Sequence, residues 1–134
     1  MDTSRAQFFS PPTLSPPFGF SHAASVGPGR TVWVSGQLPI AADGTPAPAG
    51  DWDAQARLAF ENVGRALEAA GAAWADVVKL TYFVTDLAGI QTLRAVRDEF
   101  VDTARPPASS LVQVAALVVP GLMIEIEAVA CPED

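Results

Sequence analysis

Residues 122–130 read Leu-Met-Ile-Glu-Ile-Glu-Ala-Val-Ala, which is typical of a strand with two different faces. Successive side chains of a strand point to opposite sides, so the even-numbered residues share one face. They are the apolar residues Leu122, Ile124, Ile126 and Ala128. The other face carries two carboxylates, Glu125 and Glu127, between Met123 and Val129. The stretch therefore predicts a strand that packs one face on a core and keeps an acidic second face.

Upstream of this strand, the spacing of apolar residues predicts two helices. The first covers residues 51–70, with Asp51 or Asp53 as the N-terminal cap, and the second covers residues 87–103 and stops before a Pro-Pro pair. Four further stretches have the composition or the alternation of strands: residues 18–26, 31–37, 77–85 and 109–117. The first two are expected to form a hairpin through Gly27-Pro28-Gly29.

The number of elements predicts how they pack. Two helices cannot cover both faces of a sheet of about five strands, so an α+β fold with both helices on one face is expected. The uncovered face then carries Glu125 and Glu127 and shares its surface with residues of the other strands. These are expected to be Trp33, Ser35, Ser109, Leu111, Gln113 and Ala115. Such a mixture of apolar and polar groups suits a contact between subunits with a cleft in it.

Length and composition favour one domain that associates with its own copies. The 134 residues are enough for one core, and only 17% are charged against a norm of about 25%. The mean hydropathy is +0.24, so a lone domain of this size would expose apolar surface that self-association can cover. The Pro-rich residues 1–17 are expected to form an extended arm without regular structure, and residues 18–134 the single domain.

Charge and composition also exclude several classes of function. A net charge of −7 argues against nucleic-acid partners. No apolar run approaches the roughly 18 residues of a membrane span, and residues 1–17 lack a signal-peptide pattern, so a cytoplasmic protein without a membrane partner is expected. The single cysteine, Cys131, and the single histidine, His22, cannot supply a disulfide or a usual structural zinc site. No metal or other cofactor is expected.

Few residues suit catalysis. Glu125 and Glu127 lie about 6.8 Å apart along one strand face, and a carboxylate in an apolar cleft can serve as a general acid or base. Solvation, or pairing with Lys and Arg across the sheet, is the alternative for both. A lone histidine such as His22 is more typical of a structural strand residue than of a catalyst. The two arginines of the second helix, Arg94 and Arg97, fit a solvated face.

Several short motifs occur in an order that resembles a known family. They are Val34-Ser35-Gly36-Gln37-Leu38-Pro39, Gln55 with Glu61-Asn62-Val63, Leu67-Glu68-Ala69-Ala70-Gly71, Asp76-Val77-Val78-Lys79, Asp86-Leu87, Arg105-Pro106-Pro107-Ala108-Ser109 and Ile124-Glu125-Ile126-Glu127-Ala128-Val129-Ala130. Over about residues 18–130 the chain resembles the Rid family, also called the YjgF or reactive intermediate deaminase family. The resemblance implies a chorismate-mutase-like fold, a homotrimer with inward-facing sheets, and small-molecule clefts between subunits.

The resemblance also implies which residues form the site. Active deaminases of the family hold the substrate carboxylate with an arginine and position or activate water with a glutamate. Glu127 and the Ser35-Gly36 pair match the family pattern. Four positions depart from it: Ser109 replaces the arginine, Phe20 a tyrosine, Arg94 an asparagine and Leu111 a cysteine. The chain therefore resembles an arginine-lacking member.

Two functions follow from this pattern. The first is a deaminase-like hydrolase that acts on an enamine, imine or related reactive metabolite, with Glu127 as the catalytic residue. In that case either the ligand has no α-carboxylate or Arg94 supplies the missing cation. The second is a non-catalytic trimeric module that binds a metabolite or acts like a chaperone.

Overall fold

A computed structural model describes residues 5–133 of the chain. In this range the strands and α-helices are β1 (Ala6–Phe9), β2 (Ala23–Val26), β3 (Val32–Gln37), α1 (Trp52–Ala69), β4 (Val77–Val84), α2 (Ile90–Arg97), β5 (Ala108–Gln113) and β6 (Ile124–Ala130). Single turns of 3₁₀ helix, Trp74–Asp76 and Leu87–Gly89, precede β4 and α2. None of the helices in the described range has the length and hydropathy needed to span a bilayer.

The main sheet has the strand order β3-β6-β4-β5. β6 is antiparallel to both of its neighbours, whereas β5 is parallel to β4, so the sheet is mixed. It contains four strands, because β1 and β2 pair with each other in a separate ribbon. α1 and α2 contribute to the same core cluster as the inner face of the sheet, so both helices lie on one face of this α+β fold.

α1 follows the sequence prediction closely. Asp51 caps its N-terminus by accepting a hydrogen bond from the backbone N–H of Ala54 at 3.0 Å. At the other end the Arg30 guanidinium donates to the carbonyl oxygens of Ala70 and Gly71, at 2.6 and 3.2 Å, where helical partners are missing. The apolar stripe of the helix is buried against β3 and β6. The cap and the stripe together explain why this segment is helical.

Gln55 joins α1 to the loop that enters β6. Its side chain is fully buried, and each of its polar atoms has a partner. Nε2 donates to the carbonyl oxygens of Pro48 and Gly121, at 3.1 and 3.0 Å, and Oε1 accepts from the N–H of Met123 at 2.7 Å. A buried amide with three such bonds fixes the position of the strand relative to the helix.

α2 is shorter than the predicted helix over residues 87–103. The first residues form the 3₁₀ turn Leu87–Gly89, which Asp86 caps through the N–H of Ala88 at 2.9 Å. The helix then ends at Arg97, and Phe100 stacks on Phe60 with 5.3 Å between ring centroids. The chain therefore leaves the helix where an aromatic side chain can enter the core.

The predicted hairpin over residues 18–26 and 31–37 is wrong. β2 pairs with β1, inside the arm that was expected to lack regular structure, and β3 pairs with β6. Arg5 stabilises the observed pairing, because its guanidinium donates to the carbonyls of Gly27 and Arg30 and holds the Gly-Pro-Gly turn against the arm. Residues 10–17 contain no helix or strand, and residues 1–4 of the predicted arm lie outside the described range.

β5 presents its residues on faces that differ from the prediction. In the parallel register Ser109 lies beside Leu80 and Leu111 beside Tyr82, so Ser109 and Leu111 belong to the helix-covered face. Ser110, beside Thr81, belongs to the outer face instead. The prediction of Ser109 and Leu111 beside Glu127 is therefore wrong. The strand also ends at Gln113 rather than at residue 117.

Candidate functional site

A cavity of about 250 Å³ opens between α2, the end of the sheet and the segment that precedes β2. We call it the helix-side cavity. Its lining consists of Phe18, Phe20, Tyr82, Ile90, Leu93, Arg94, Arg97, Ser109 and Leu111. Four of the predicted substrate-binding residues thus share one cavity, namely Phe20, Arg94, Ser109 and Leu111. Apolar walls with a few polar groups are the usual composition of a small-molecule site.

The two arginines of α2 differ in their surroundings. The side chain of Arg97 is only 11% exposed; its Nε donates to Oδ1 of Asp98 at 2.9 Å and its Nη1 to the carbonyl of Phe18 at 3.4 Å. The guanidinium packs directly under Gly19, where any Cβ would collide with it, and Gly19 has a φ of +78°. Arg97 therefore fixes the segment that roofs the cavity and has its charge compensated.

Arg94 keeps an uncompensated charge. It is half-buried, and its guanidinium carbon lies 6.0 Å from the centroid of the Phe18 ring. It forms no ion pair with any residue in the range 5–133. Arg94 is thus a cation at a cavity lined mainly by apolar side chains, and it is available to an anionic ligand group.

Tyr82 forms part of the cavity wall from β4. The side chain is 2% exposed, and its hydroxyl has no hydrogen-bond partner among the described residues. Burial raises the pKa of this hydroxyl well above its usual range, with a smaller opposing effect of the Arg97 charge. At neutral pH the group is therefore a protonated donor without an acceptor among the described residues, on a side chain that lines the cavity.

Glu127 lies on the opposite face of the sheet. There, side chains of β3, β4 and β6 line a cleft of about 300 Å³, which we call the outer cleft: Trp33, Val34, Lys79, Thr81, Glu127, Ala128 and Val129. Glu127 is exposed and lies beside Thr81 in the register. Lys79 donates from Nζ to Oγ of Ser110 at 2.8 Å. Trp33 is 77% exposed, so the outer cleft is flanked by a large uncovered aromatic ring.

Ser35 and Gly36 line neither cavity. They lie where the register between β3 and β6 shifts, between Val34 and Gln37. A Cβ at Gly36 would lie 2.5 Å from Oε2 of Glu125, so only glycine leaves room for this carboxylate. The pair therefore shapes the surroundings of Glu125 rather than those of Glu127.

Within one chain the sheet separates the predicted site into two parts. Phe20, Arg94, Ser109 and Leu111 lie on the helix side, whereas Glu127 lies on the outer face. Phe20 also faces a wider cavity of about 590 Å³ beside β1, which contains none of the other predicted site residues. In the range 5–133 no three His, Cys, Asp or Glu side chains are arranged to hold a metal ion.

Sequence reasoning missed two polar residues of the helix-side cavity, Tyr82 and Arg97. Tyr82 fitted the apolar face of its strand, and Arg97 fitted a solvated helix face. A signal for Tyr82 exists, since it is the only tyrosine of the chain and its hydroxyl needs a partner wherever the ring is buried. For Arg97 the signal is Gly19 between two phenylalanines, but only the folded chain shows their contact.

Comparisons with known proteins identify the family of the chain. Residues 13–131 match the family described as Endoribonuclease L-PSP. The 2-iminobutanoate/2-iminopropanoate deaminase of Salmonella typhimurium is 42% identical over 116 residues, which cover 80% of this chain and 89% of that protein. The crystal structure of YyfB from Yersinia pestis, a Rid-family protein of unknown function, superposes with a TM-score of 0.88 at 38% identity and covers 96% of this chain and 99% of that one.

A second crystal structure, that of Escherichia coli TdcF with bound serine, gives a TM-score of 0.70 at 36% identity and covers 89% of this chain and 91% of that one. The family match spans nearly the whole chain, and the relatives match along most of their own length. The chain therefore belongs to the Rid family, also called the YjgF or reactive intermediate deaminase family.

Proposed function

We propose that the protein is a deaminase-type hydrolase of enamines or imines derived from small metabolites. The observation that carries the proposal is the helix-side cavity, where Phe20, Ser109 and Leu111 surround the uncompensated guanidinium of Arg94. Relatives named as 2-iminobutanoate/2-iminopropanoate deaminases support the reaction class. The net charge of −7 argues against RNA as a substrate.

The proposed site is completed between subunits of a homotrimer. Glu127 and the helix-side cavity lie on opposite faces of one sheet, so a single chain cannot bring them to the same ligand. A second copy, docked with its outer cleft toward the cavity, brings its own Glu127 to the ligand. The large exposed surface of Trp33 next to Glu127 supports an outer face that is covered in the assembly.

Arg94 takes the role of the missing arginine in this proposal. Ser109 occupies the position of that arginine in the family. Its single hydroxyl cannot donate two hydrogen bonds to a carboxylate as a guanidinium can. Arg94 reaches the same cavity from α2 and can donate two parallel N–H bonds to a carboxylate. Phe20 and Leu111 supply apolar walls for the rest of the ligand.

Glu127 then acts as the general base and acid of hydrolysis. Its carboxylate accepts a proton from water while the water oxygen forms a bond to the imine carbon. That proton passes to the nitrogen, which gives a carbinolamine with a hydroxyl and an amino group on the same carbon. Glu127 then accepts the hydroxyl proton and donates a proton to the amino nitrogen, so the carbon–nitrogen bond breaks and ammonia leaves as the carbonyl forms. An enamine enters the same sequence after protonation at its carbon. Water supplies the only additional atoms, so no cofactor is needed.

The test measures the decay of an imine generated in place from an amino acid by an amino-acid oxidase. The protein is expected to accelerate the decay and the release of ammonia above the spontaneous rate. Glu127→Gln is expected to lower the acceleration by about 10² to 10⁴, since the amide keeps the shape but cannot exchange a proton. Ammonia release and the oligomeric state are measured for both proteins.

Glu125→Gln is the matched control. It lies on the same strand face, but its carboxylate packs beside Gly36, so it is expected to keep most of the activity. Equal losses in both variants would contradict a specific role of Glu127. If the protein bound the metabolite without any acceleration, the hydrolase assignment would fail and the non-catalytic trimeric binding or chaperone-like module would replace it.

A further inference from the structure

Neither the fold nor the proposed reaction gives the Tyr82 hydroxyl a hydrogen-bond partner. A buried hydroxyl without a partner costs free energy, and native structures rarely contain one. Tyr82 lines the helix-side cavity at its buried wall together with Leu93, whereas Phe18 at the rim is 70% exposed. The hydroxyl is therefore a buried, unpartnered hydrogen-bond donor on a side chain that lines a candidate site for a small molecule.

We propose that Tyr82 is a specificity-determining residue, whose hydroxyl donates a hydrogen bond to an acceptor atom at the far end of the substrate's side chain. The carboxylate of the substrate is held by Arg94, and this part of the inference rests on the proposed function. The substrate class is then an imine or enamine with an apolar side chain that ends in an oxygen acceptor.

The charges around the cavity favour a neutral acceptor at the inner end. The charge of Arg97 acts on Tyr82, but Asp98 compensates it by accepting a hydrogen bond from Nε of Arg97 at 2.9 Å. The uncompensated charge belongs to Arg94. A hydroxyl or carbonyl oxygen thus suits the Tyr82 end of the cavity, and a carboxylate suits the Arg94 end.

The size of the cavity permits a ligand with both groups. An apolar cavity of about 150 Å³ is enough to hold benzene, whereas the helix-side cavity has about 250 Å³. A ring or a short branched chain with a polar group at each end therefore fits. A site that must satisfy a buried polar group discriminates strongly against analogues that lack the matching group.

The test uses two stable probes that differ by one oxygen atom, 4-hydroxybenzoate and benzoate. Both have a carboxylate and a ring, and only the first carries an oxygen at the position opposite the carboxylate. Tyr82 is the only tyrosine in the chain, so a protein labelled in its tyrosine ring gives one NMR signal from the cavity wall. Titration of this sample measures both affinities, and calorimetry measures them for the unlabelled variants.

The wild-type protein is expected to bind 4-hydroxybenzoate at least about tenfold more tightly than benzoate. In Tyr82→Phe the ratio of the two affinities is expected to fall to near one. Failure of either probe to bind wild-type protein, an equal affinity for both, or a preference that persists in Tyr82→Phe would each overturn the inference. Tyr82→Phe should also keep or raise the melting temperature, because it removes an unpaired buried hydroxyl; a marked decrease would indicate a structural role instead.

Two arginine variants test whether the carboxylate end of the ligand is recognised separately from the end near Tyr82. Arg94→Gln is expected to weaken both probes by a similar factor, at least about tenfold, and to leave their ratio unchanged. Arg65→Gln removes the same charge from an exposed position of α1 and is the control that should change neither affinity. Because binding is measured without turnover, an inactive protein that still discriminates between the probes would refute the hydrolase proposal and retain the role of Tyr82.

Discussion

Tyr82 makes the stability of the protein sensitive to alkaline pH. Burial raises the pKa of its hydroxyl above the value of about 10 of an unfolded chain. Above pH about 10 the unfolded state releases this proton and the folded state retains it, so the unfolded state binds fewer protons and stability falls as pH rises. Below pH about 10 both states keep the proton, so the contribution of this group to the stability of the protein is present in full. Ultraviolet absorbance should therefore show tyrosinate only as the protein unfolds.

The variant Tyr82→Phe is the control for this titration. It should lose the tyrosinate signal and part of the decrease in stability above pH about 10. Tyrosinate that forms at the ordinary pKa in a protein whose circular dichroism is still native would contradict the buried position of the hydroxyl.

Ser109 offers a gain-of-function test at the scale of one residue. Ser109→Arg places a second guanidinium in the helix-side cavity, where the family pattern has one. The variant is expected to hydrolyse imines of 2-amino acids at least about tenfold faster, because charge-assisted hydrogen bonds contribute about 1.5–3 kcal/mol each. The measurement is kcat/KM for the imine generated in place. Ala69→Arg adds the same charge at an exposed position of α1 and is the control, and equal gains in both variants would show a nonspecific effect of charge.

The positions of single residues could be predicted only in part. The alternation in β6 identified the face of Glu127, because the period of a strand is visible in the sequence. Ser109 and Leu111 were predicted on the wrong face, because β5 has no clear alternation and its parallel pairing with β4 depends on a crossover through α2. The cavity around Tyr82 and Arg97 depends on that same pairing, so the sequence could not reveal it.

At the scale of elements, Gln55 is expected to control how α1 attaches to β6. Gln55→Leu removes three hydrogen bonds and leaves the Pro48 and Gly121 carbonyls and the Met123 N–H without their partner. Buried groups left unpaired cost about 1–3 kcal/mol each, and relaxation recovers part of this. We expect a loss of about 3 kcal/mol in the free energy of unfolding, measured by urea denaturation.

Gln91→Leu is the matched control for this change. Gln91 is exposed on α2, so the same substitution there should alter stability by less than about 0.5 kcal/mol. A loss at Gln55 no larger than that at Gln91 would mean that the loop before β6 is held by other contacts.

The elements themselves were predictable where local signals decide the structure. α1 has a cap, an apolar stripe and a terminating glycine within its own sequence, and its observed bounds differ from the prediction by one residue at each end. The hairpin prediction failed for the opposite reason. Gly27-Pro28-Gly29 suggests a tight turn, but β2 pairs with β1, which is distant in the sequence, and Arg5 next to β1 supplies hydrogen bonds to that turn.

At the scale of the whole molecule, we predict a homotrimer held together through the outer face of the sheet. Sedimentation of the wild-type protein should give three times the chain mass of 14.0 kDa at micromolar concentration. Trp33→Glu places a charge in the largest exposed aromatic patch of that face and is expected to produce monomers. Leu87→Glu, in the 3₁₀ turn before α2, is the control that should stay trimeric. A stable wild-type monomer would contradict the assembly and the completed site.

The position of β6 also determines when the chain can fold during its synthesis. β6 is the last strand of the described range, yet it lies in the middle of the sheet between β3 and β4. When the chain has emerged from the ribosome only as far as β5, β3 therefore lacks its only partner in the main sheet. At that point β4 lacks one of its two neighbours. The edges of these strands that pair with β6 stay without hydrogen-bond partners until the final segment emerges. The acidic strand that carries Glu127 is thus also the piece on which completion of the nascent core depends.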